Sequence, residues 1–152
     1  MISGRAKLAA AAAICVLATP EAGFAQVRDA TYKGALDCAS LPFVKGYLRS
    51  AMDVSISGRE AKYKRPVLDP EHGTVLGEES GSGAVEGDSL KLSGAWRGPA
   101  DRYEASYSGP LKGRSFMISG TQTWTHDGKT FTRACSGVIK RPFAVFLKKR
   151  GT

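Results

Sequence analysis

The sequence predicts an all-β fold: one eight-stranded antiparallel up-and-down barrel closed by a Cys38–Cys135 disulfide. Three observations lead there. Apolar and polar residues alternate with period 2, the signature of half-buried strands. A hairpin-like segment recurs at an offset of 26 residues. The two cysteines beyond residue 25 stand on the first and last of the predicted strands. Composition agrees. A chain of 152 residues has room for one domain, and 42% hydrophobic residues with a formal charge of +8 are too apolar and too weakly charged for a disordered chain.

Residues 1–25 read as a cleaved signal peptide. Arg5 and Lys7 give a positive start, Leu8–Ala18 is a short apolar stretch, and Gly23-Phe24-Ala25 places small residues at −3 and −1 before Gln26. The alternative is an N-terminal membrane anchor, but the eleven residues of Leu8–Ala18 reach only about 16 Å as a helix, half of a bilayer core of about 30 Å. The style of the signal is bacterial and implies the periplasm or secretion. Cleavage removes Arg5, Lys7 and Glu21, taking 22 Lys+Arg to 20 and 14 Asp+Glu to 13, hence +7 on the remaining 127 of 152 residues. Cys15 leaves as well, so an odd cysteine count becomes a pair. In an oxidising compartment such a pair is expected to be a disulfide. Two free thiols or a metal site are the alternatives, and two Cys without accompanying His make a poor zinc site.

The strands follow in order near 30–38, 50–57, 60–67 and 74–86, then over Ser89–Arg97, Arg102–Leu111 and Ser115–Trp124, and last near 130–140. The alternation is strict in the three named segments. Leu90, Leu92, Gly94 and Trp96 share one face; so do Tyr103, Ala105, Tyr107, Gly109 and Leu111; so do Phe116, Ile118, Gly120, Gln122 and Trp124. The segment from Ser82 to Gly94 is repeated from Ser108 to Gly120, each copy a hairpin around a Gly-containing turn. Gly inside a strand marks sharp bending or close backbone approach, which a small coiled barrel requires.

Cys38 shares parity with Tyr32, Gly34 and Leu36, and Cys135 with Phe131, Gly137 and Ile139. A disulfide needs Cα atoms about 5.5 Å apart, close to the spacing of neighbouring strands. First and last strands would then lie side by side, which closes the meander and removes both edges. The rival is a β-sandwich of Greek-key topology, in which the same disulfide would staple two sheets. The barrel resembles those of lipocalins and avidins in strand count, length and topology. The Gly-x-Trp that lipocalins carry on their first strand is absent there; Gly94-Ala95-Trp96 has those letters on the predicted fifth strand.

In a meander the connections alternate between two ends. Those at Gly58-Arg59, Gly87-Asp88 and Gly113-Arg114 are tight; those at Ala39–Arg49, Leu68–Gly73, Gly98–Asp101 and Thr125–Lys129 are longer and richer in Pro, His and Asp. Binding residues concentrate on such connections. The inward residues nearest that end are Arg65, Trp96, Tyr103, Trp124, Phe131 and Arg133, and these are the candidate ligand-binding set. Parity also sends Glu79 and Gln122 inward. A buried charge is costly unless paired, so either Glu79 neutralises an arginine inside or an anion from outside does. A filled core with a structural Arg–Glu pair stands against an open pocket for a small aromatic or anionic ligand.

Other features carry less. His72 and His126 sit in turns beside Glu71 and Asp127 and read as surface residues rather than metal ligands. No nucleophile–base pattern stands out, Glu78 and Glu79 have opposite parity, and no Gly-rich phosphate loop precedes a helix. The C-terminal tail 142–152, with Phe143, Val145, Phe146 and Leu147 beside Lys148, Lys149 and Arg150, either packs on the barrel wall or touches an anionic membrane surface. Basic residues dispersed over outward faces, together with export, argue against nucleic acid.

The expectation is an exported, non-enzymatic binding protein, monomeric and without cofactor. Its long-connection end engages a small aromatic or anionic ligand, or an envelope component. The alternative is a periplasmic inhibitor or interaction module acting on a protease or other envelope protein. In that respect the chain resembles Gram-negative periplasmic inhibitors of lysozymes and proteases, which are small disulfide-bonded β-barrels. A basic barrel repels a basic lysozyme, so charge favours another target.

Overall fold

The structure, a computed structural model, describes residues 29–44, 48–69 and 71–142. The segment read as a signal peptide and all of the tail but Pro142 lie outside the described residues. Eight strands follow one another: β1 (Ala30–Cys38), β2 (Leu48–Ser57), β3 (Glu60–Leu68), β4 (Val75–Glu86), β5 (Ser89–Arg97), β6 (Arg102–Pro110), β7 (Ser115–His126) and β8 (Lys129–Lys140). Each pairs antiparallel with the next, and β8 pairs back onto β1 to close the barrel. The topology is thus the up-and-down barrel and not the sandwich. Cys38 and Cys135 are directly opposite across the β1–β8 seam and form the disulfide, a bond that fits an oxidising compartment.

Period-2 alternation becomes inside and outside. Leu90, Leu92 and Trp96 of β5 are buried while Lys91, Ser93 and Arg97 are exposed, and β6 and β7 behave alike. The half of the barrel nearer the tight turns is apolar, filled by Ile56, Val85, Leu90, Phe116 and Ile139. Each such side chain, fully buried, contributes roughly 1.5–3 kcal/mol. The inner wall is set by strand glycines. A Cβ at Gly94 would strike the Tyr63 hydroxyl and lie 2.6 Å from the Ser80 carbonyl oxygen, and one at Gly81 would strike the same Tyr63 ring. Two side-chain-free positions, paired with each other across β4 and β5, leave the space that Tyr63 fills.

Three connections join strands at the tight end as expected: Gly58-Arg59, Gly87-Asp88 and the turn through Gly113. At the opposite end one expectation needs correcting. Thr125–Lys129 is not a long connection: β7 runs to His126 and β8 starts at Lys129, leaving a two-residue turn. Asp127 (φ 47°) and Gly128 (φ 71°) both take the left-handed region, the Asp-Gly preference of a type I′ hairpin. A bulge at Val67/Leu68 sets Leu76 of β4 out of register.

Candidate functional site

The half of the barrel nearer the long connections holds a polar network instead of an apolar core. Glu79, from β4, is completely buried. Its Oε1 accepts from Tyr63 Oη (2.7 Å) and Tyr107 Oη (3.0 Å), and its Oε2 from Tyr103 Oη (2.6 Å) and Gln122 Nε2 (3.1 Å). Arg65, directly opposite Glu79 in the β3–β4 register, brings Nη1 to 3.5 Å of Oε2. The carboxylate is therefore fully satisfied by donors from three strands, β3, β6 and β7.

Arg65 is equally well held. Its Nε (2.9 Å) and Nη2 (2.5 Å) donate to Ser50 Oγ, and Nη1 donates to Tyr107 Oη (3.1 Å) and approaches Cys38 Sγ (3.6 Å). Burial works against its charge, but Tyr107 and Glu79 outweigh it, and the guanidinium is held above its ordinary pKa. Burial followed by the Glu79 charge pushes the hydroxyls of Tyr63, Tyr103 and Tyr107 far above the usual tyrosine range, so all three remain donors.

Gln122 of β7 links this centre to the barrel end. Its Nε2 donates to Glu79 and to Tyr107 Oη (2.8 Å), while its Oε1 accepts from Trp124 Nε1 (3.1 Å) and Arg133 Nε (2.7 Å). Two donors and two acceptors are all used, which fixes the amide orientation. Arg133 lies with its guanidinium carbon 5.0 Å from the Trp124 ring centroid. It is only 5% exposed, and its Nη1 is fully buried with no hydrogen-bond partner. Burial, and then the neighbouring Arg65 charge, lower its pKa to about 10.

Beyond the network lie the aromatics. The Trp124 centroid is 4.4 Å from that of Tyr103 and 5.8 Å from that of Trp96. Phe43, from the β1–β2 connection, closes over them: it meets Trp124 (6.0 Å) and Phe131 (5.1 Å) edge-on and stacks on His126 at 4.0 Å and 10°. Leu41 and Val44, joined by reciprocal backbone hydrogen bonds of 3.0 Å, flank Phe43 and are buried. Asp101 Oδ1 lies 2.6 Å from His126 Nδ1, so the β5–β6 connection holds the ring on which Phe43 rests.

The six candidate residues Arg65, Trp96, Tyr103, Trp124, Phe131 and Arg133 thus occupy one half of the barrel, with Phe131 half-buried and the others buried. Arg65 departs from the rest, being bound to Ser50, Tyr107 and Glu79 rather than directed at the mouth. Sequence reasoning passed over Tyr63, Ser50 and Phe43. Tyr63 and Ser50 carried a signal in their inward parity; Phe43, in a connection without period, carried none. His72 is 71% exposed beside Asp69, and among the described residues no group of three His, Cys, Asp or Glu is placed to hold a metal ion. The outward polar residues stay outward: Ser80, Ser93, Ser106, Thr121, Thr123 and Glu104 line a depression on the outer wall, across the sheet from this cluster. No protein-family model matches the chain, and no curated protein matches its sequence.

Proposed function

We propose that the protein is an exported, non-enzymatic binding protein that takes a small ligand, or a group presented by an envelope component, at the end of the barrel formed by the long connections. The observation that supports this most is the convergence of Trp96, Tyr103, Phe43 and, through Phe43, Phe131 on Trp124, whose ring face carries Arg133. Large apolar faces with one placed polar group are what small-molecule recognition uses. The rest of the barrel is a rigid frame for it. The disulfide and the signal-like residues 1–25 support placement in the bacterial periplasm or outside the cell.

Both tryptophans of the chain stand in this cluster, so intrinsic fluorescence reports on it alone. Titration with a panel of aromatic and aliphatic acids, their neutral analogues and amines is expected to change the emission for at least one class. Trp124→Ala is expected to abolish that response while the barrel still melts cooperatively. Unchanged emission and unchanged melting temperature across the whole panel would refute the proposal.

A further inference from the structure

Among the described residues, the barrel interior holds two guanidinium groups, Arg65 and Arg133, and one carboxylate, Glu79. Glu79 and Arg65 satisfy each other and their neighbours, so the excess positive charge sits on Arg133. Its direct contacts supply no negative charge, and burial and the Arg65 charge oppose the guanidinium more than Glu79 favours it. Gln122 Oε1 is a neutral acceptor for Nε, Trp124 offers a ring face, and Arg65 is a like charge. Among the described residues, Nη1 of Arg133 is the buried side-chain nitrogen or oxygen left without a hydrogen bond. A buried donor on a charged group is costly when unpaired, and such groups are matched by an anion or do not persist. A guanidinium presents planar, forked donors suited to a carboxylate.

What surrounds it is aromatic. Trp124 lies under the guanidinium, and Phe131 and Tyr103 stand beside that tryptophan. One ring already packs there from outside the strands: Phe43, edge-on to both Trp124 and Phe131. The geometry points to Arg133 as the anion-binding residue of the site, pairing through Nη1 with the carboxylate of a small aromatic acid whose ring takes the place that Phe43 fills. This rests on the binding role proposed above and adds the chemical class of the ligand. Phe43 then acts as an internal competitor, and the acid supplies the charge that the interior lacks.

Tryptophan fluorescence of the full protein, titrated with benzoate, benzamide and sulfate, tests this. Benzoate is expected to bind, with benzamide, its neutral isostere, and sulfate, an anion without a ring, each at least tenfold weaker. Arg133→Met is expected to weaken benzoate at least tenfold. Phe43→Ala, which leaves the network intact, is expected to tighten it several-fold. Equal binding of benzoate and benzamide, or an Arg133→Met variant that binds benzoate as the parent does, would overturn the role of Arg133 and leave the binding role standing. Sulfate binding as tightly as benzoate, or a Phe43→Ala variant that binds benzoate more weakly, would overturn the aromatic half of the inference. If neither parent nor Phe43→Ala responds to benzoate or to any other aromatic acid while another compound of the wider panel binds, the ligand class is wrong. If nothing in that panel binds, both proposals fall.

Discussion

Glu79 and Arg133 are both buried and share one hydrogen-bond network, yet deleting the charge of Glu79 is expected to be costly and deleting that of Arg133 nearly neutral. Glu79→Gln keeps the shape and removes the interior's counter-charge. Arg65, 3.5 Å from Oε2, loses its carboxylate partner. The new amide group also faces two donors, whichever oxygen it replaces: Tyr63 and Tyr107 on one side, Tyr103 and Gln122 on the other. Breaking a buried pair in this way costs about 3–5 kcal/mol, a large part of the roughly 5–15 kcal/mol that holds a domain together. Arg133→Met works differently. Holding its pKa at about 10 against an ordinary 12.5 corresponds to roughly 3 kcal/mol of unfavourable burial, which the substitution relieves. The losses are one hydrogen bond to Gln122, worth about 1.5 kcal/mol, and the contact with the Trp124 face, worth about 1–2 kcal/mol. These offset, and Arg133→Met is expected within about 1 kcal/mol of the parent. Urea unfolding with the disulfide intact measures both. A Glu79→Gln variant within about 1 kcal/mol of the parent, or an Arg133→Met variant less stable by more than about 2 kcal/mol, would refute this account of the interior.

Two further outcomes follow from the same residues. Tyr63, Tyr103 and Tyr107 have folded pKa values raised above their ordinary 10.0, so the stability they carry is complete below pH 10 and lost above it. Arg133, lowered to about 10, has the opposite sign and regains stability as it deprotonates. Three groups against one give a net loss of roughly 3 kcal/mol per pH unit above the tyrosine range. A spectrophotometric titration should therefore show no more than two of the five tyrosines ionising before cooperative unfolding; smooth ionisation of all five in folded protein would contradict the network. Gly94→Ala places a methyl against the Tyr63 hydroxyl and the Ser80 carbonyl. It is expected to cost about 2 kcal/mol or more and to lower the pH at which Tyr63 ionises, which nuclear magnetic resonance of labelled tyrosine resolves; a variant as stable as the parent would show that the wall is looser than drawn.

Much of this was legible in the sequence because alternation along a strand states which face a residue occupies. Glu79, Gln122, Arg65 and Arg133 are inside for the same reason that Leu90 and Leu92 are. Parity says nothing of height along the barrel or of which strands face one another across it. That Glu79 pairs with Arg65 and not Arg133 follows from the β3–β4 register, where residues 65 and 79 are direct partners, while Arg133 lies on β8, four strands from β4. Connections have no period at all, so neither the inward Phe43 nor its stack on His126 was readable. The turn after β7 was readable in principle from Asp127-Gly128, but the polar run around it obscured where the strand ends.

The two interior arginines separate what folding requires from what it does not. Arg65 has a structural account: Ser50, Tyr107 and Glu79 use its donors, and removing it strands a carboxylate. Arg133 has no equivalent. Methionine or leucine would fill much of the same volume beside Trp124, would leave Gln122 Oε1 still bonded to Trp124 Nε1, and would spare the interior a desolvated charge. A core selected for stability alone has no use for a guanidinium with an idle nitrogen. On the binding role proposed above, its place against Trp124, whose ring also meets Phe43, at the end where the connections are long, would tie the cost of that charge to recognition rather than to the barrel.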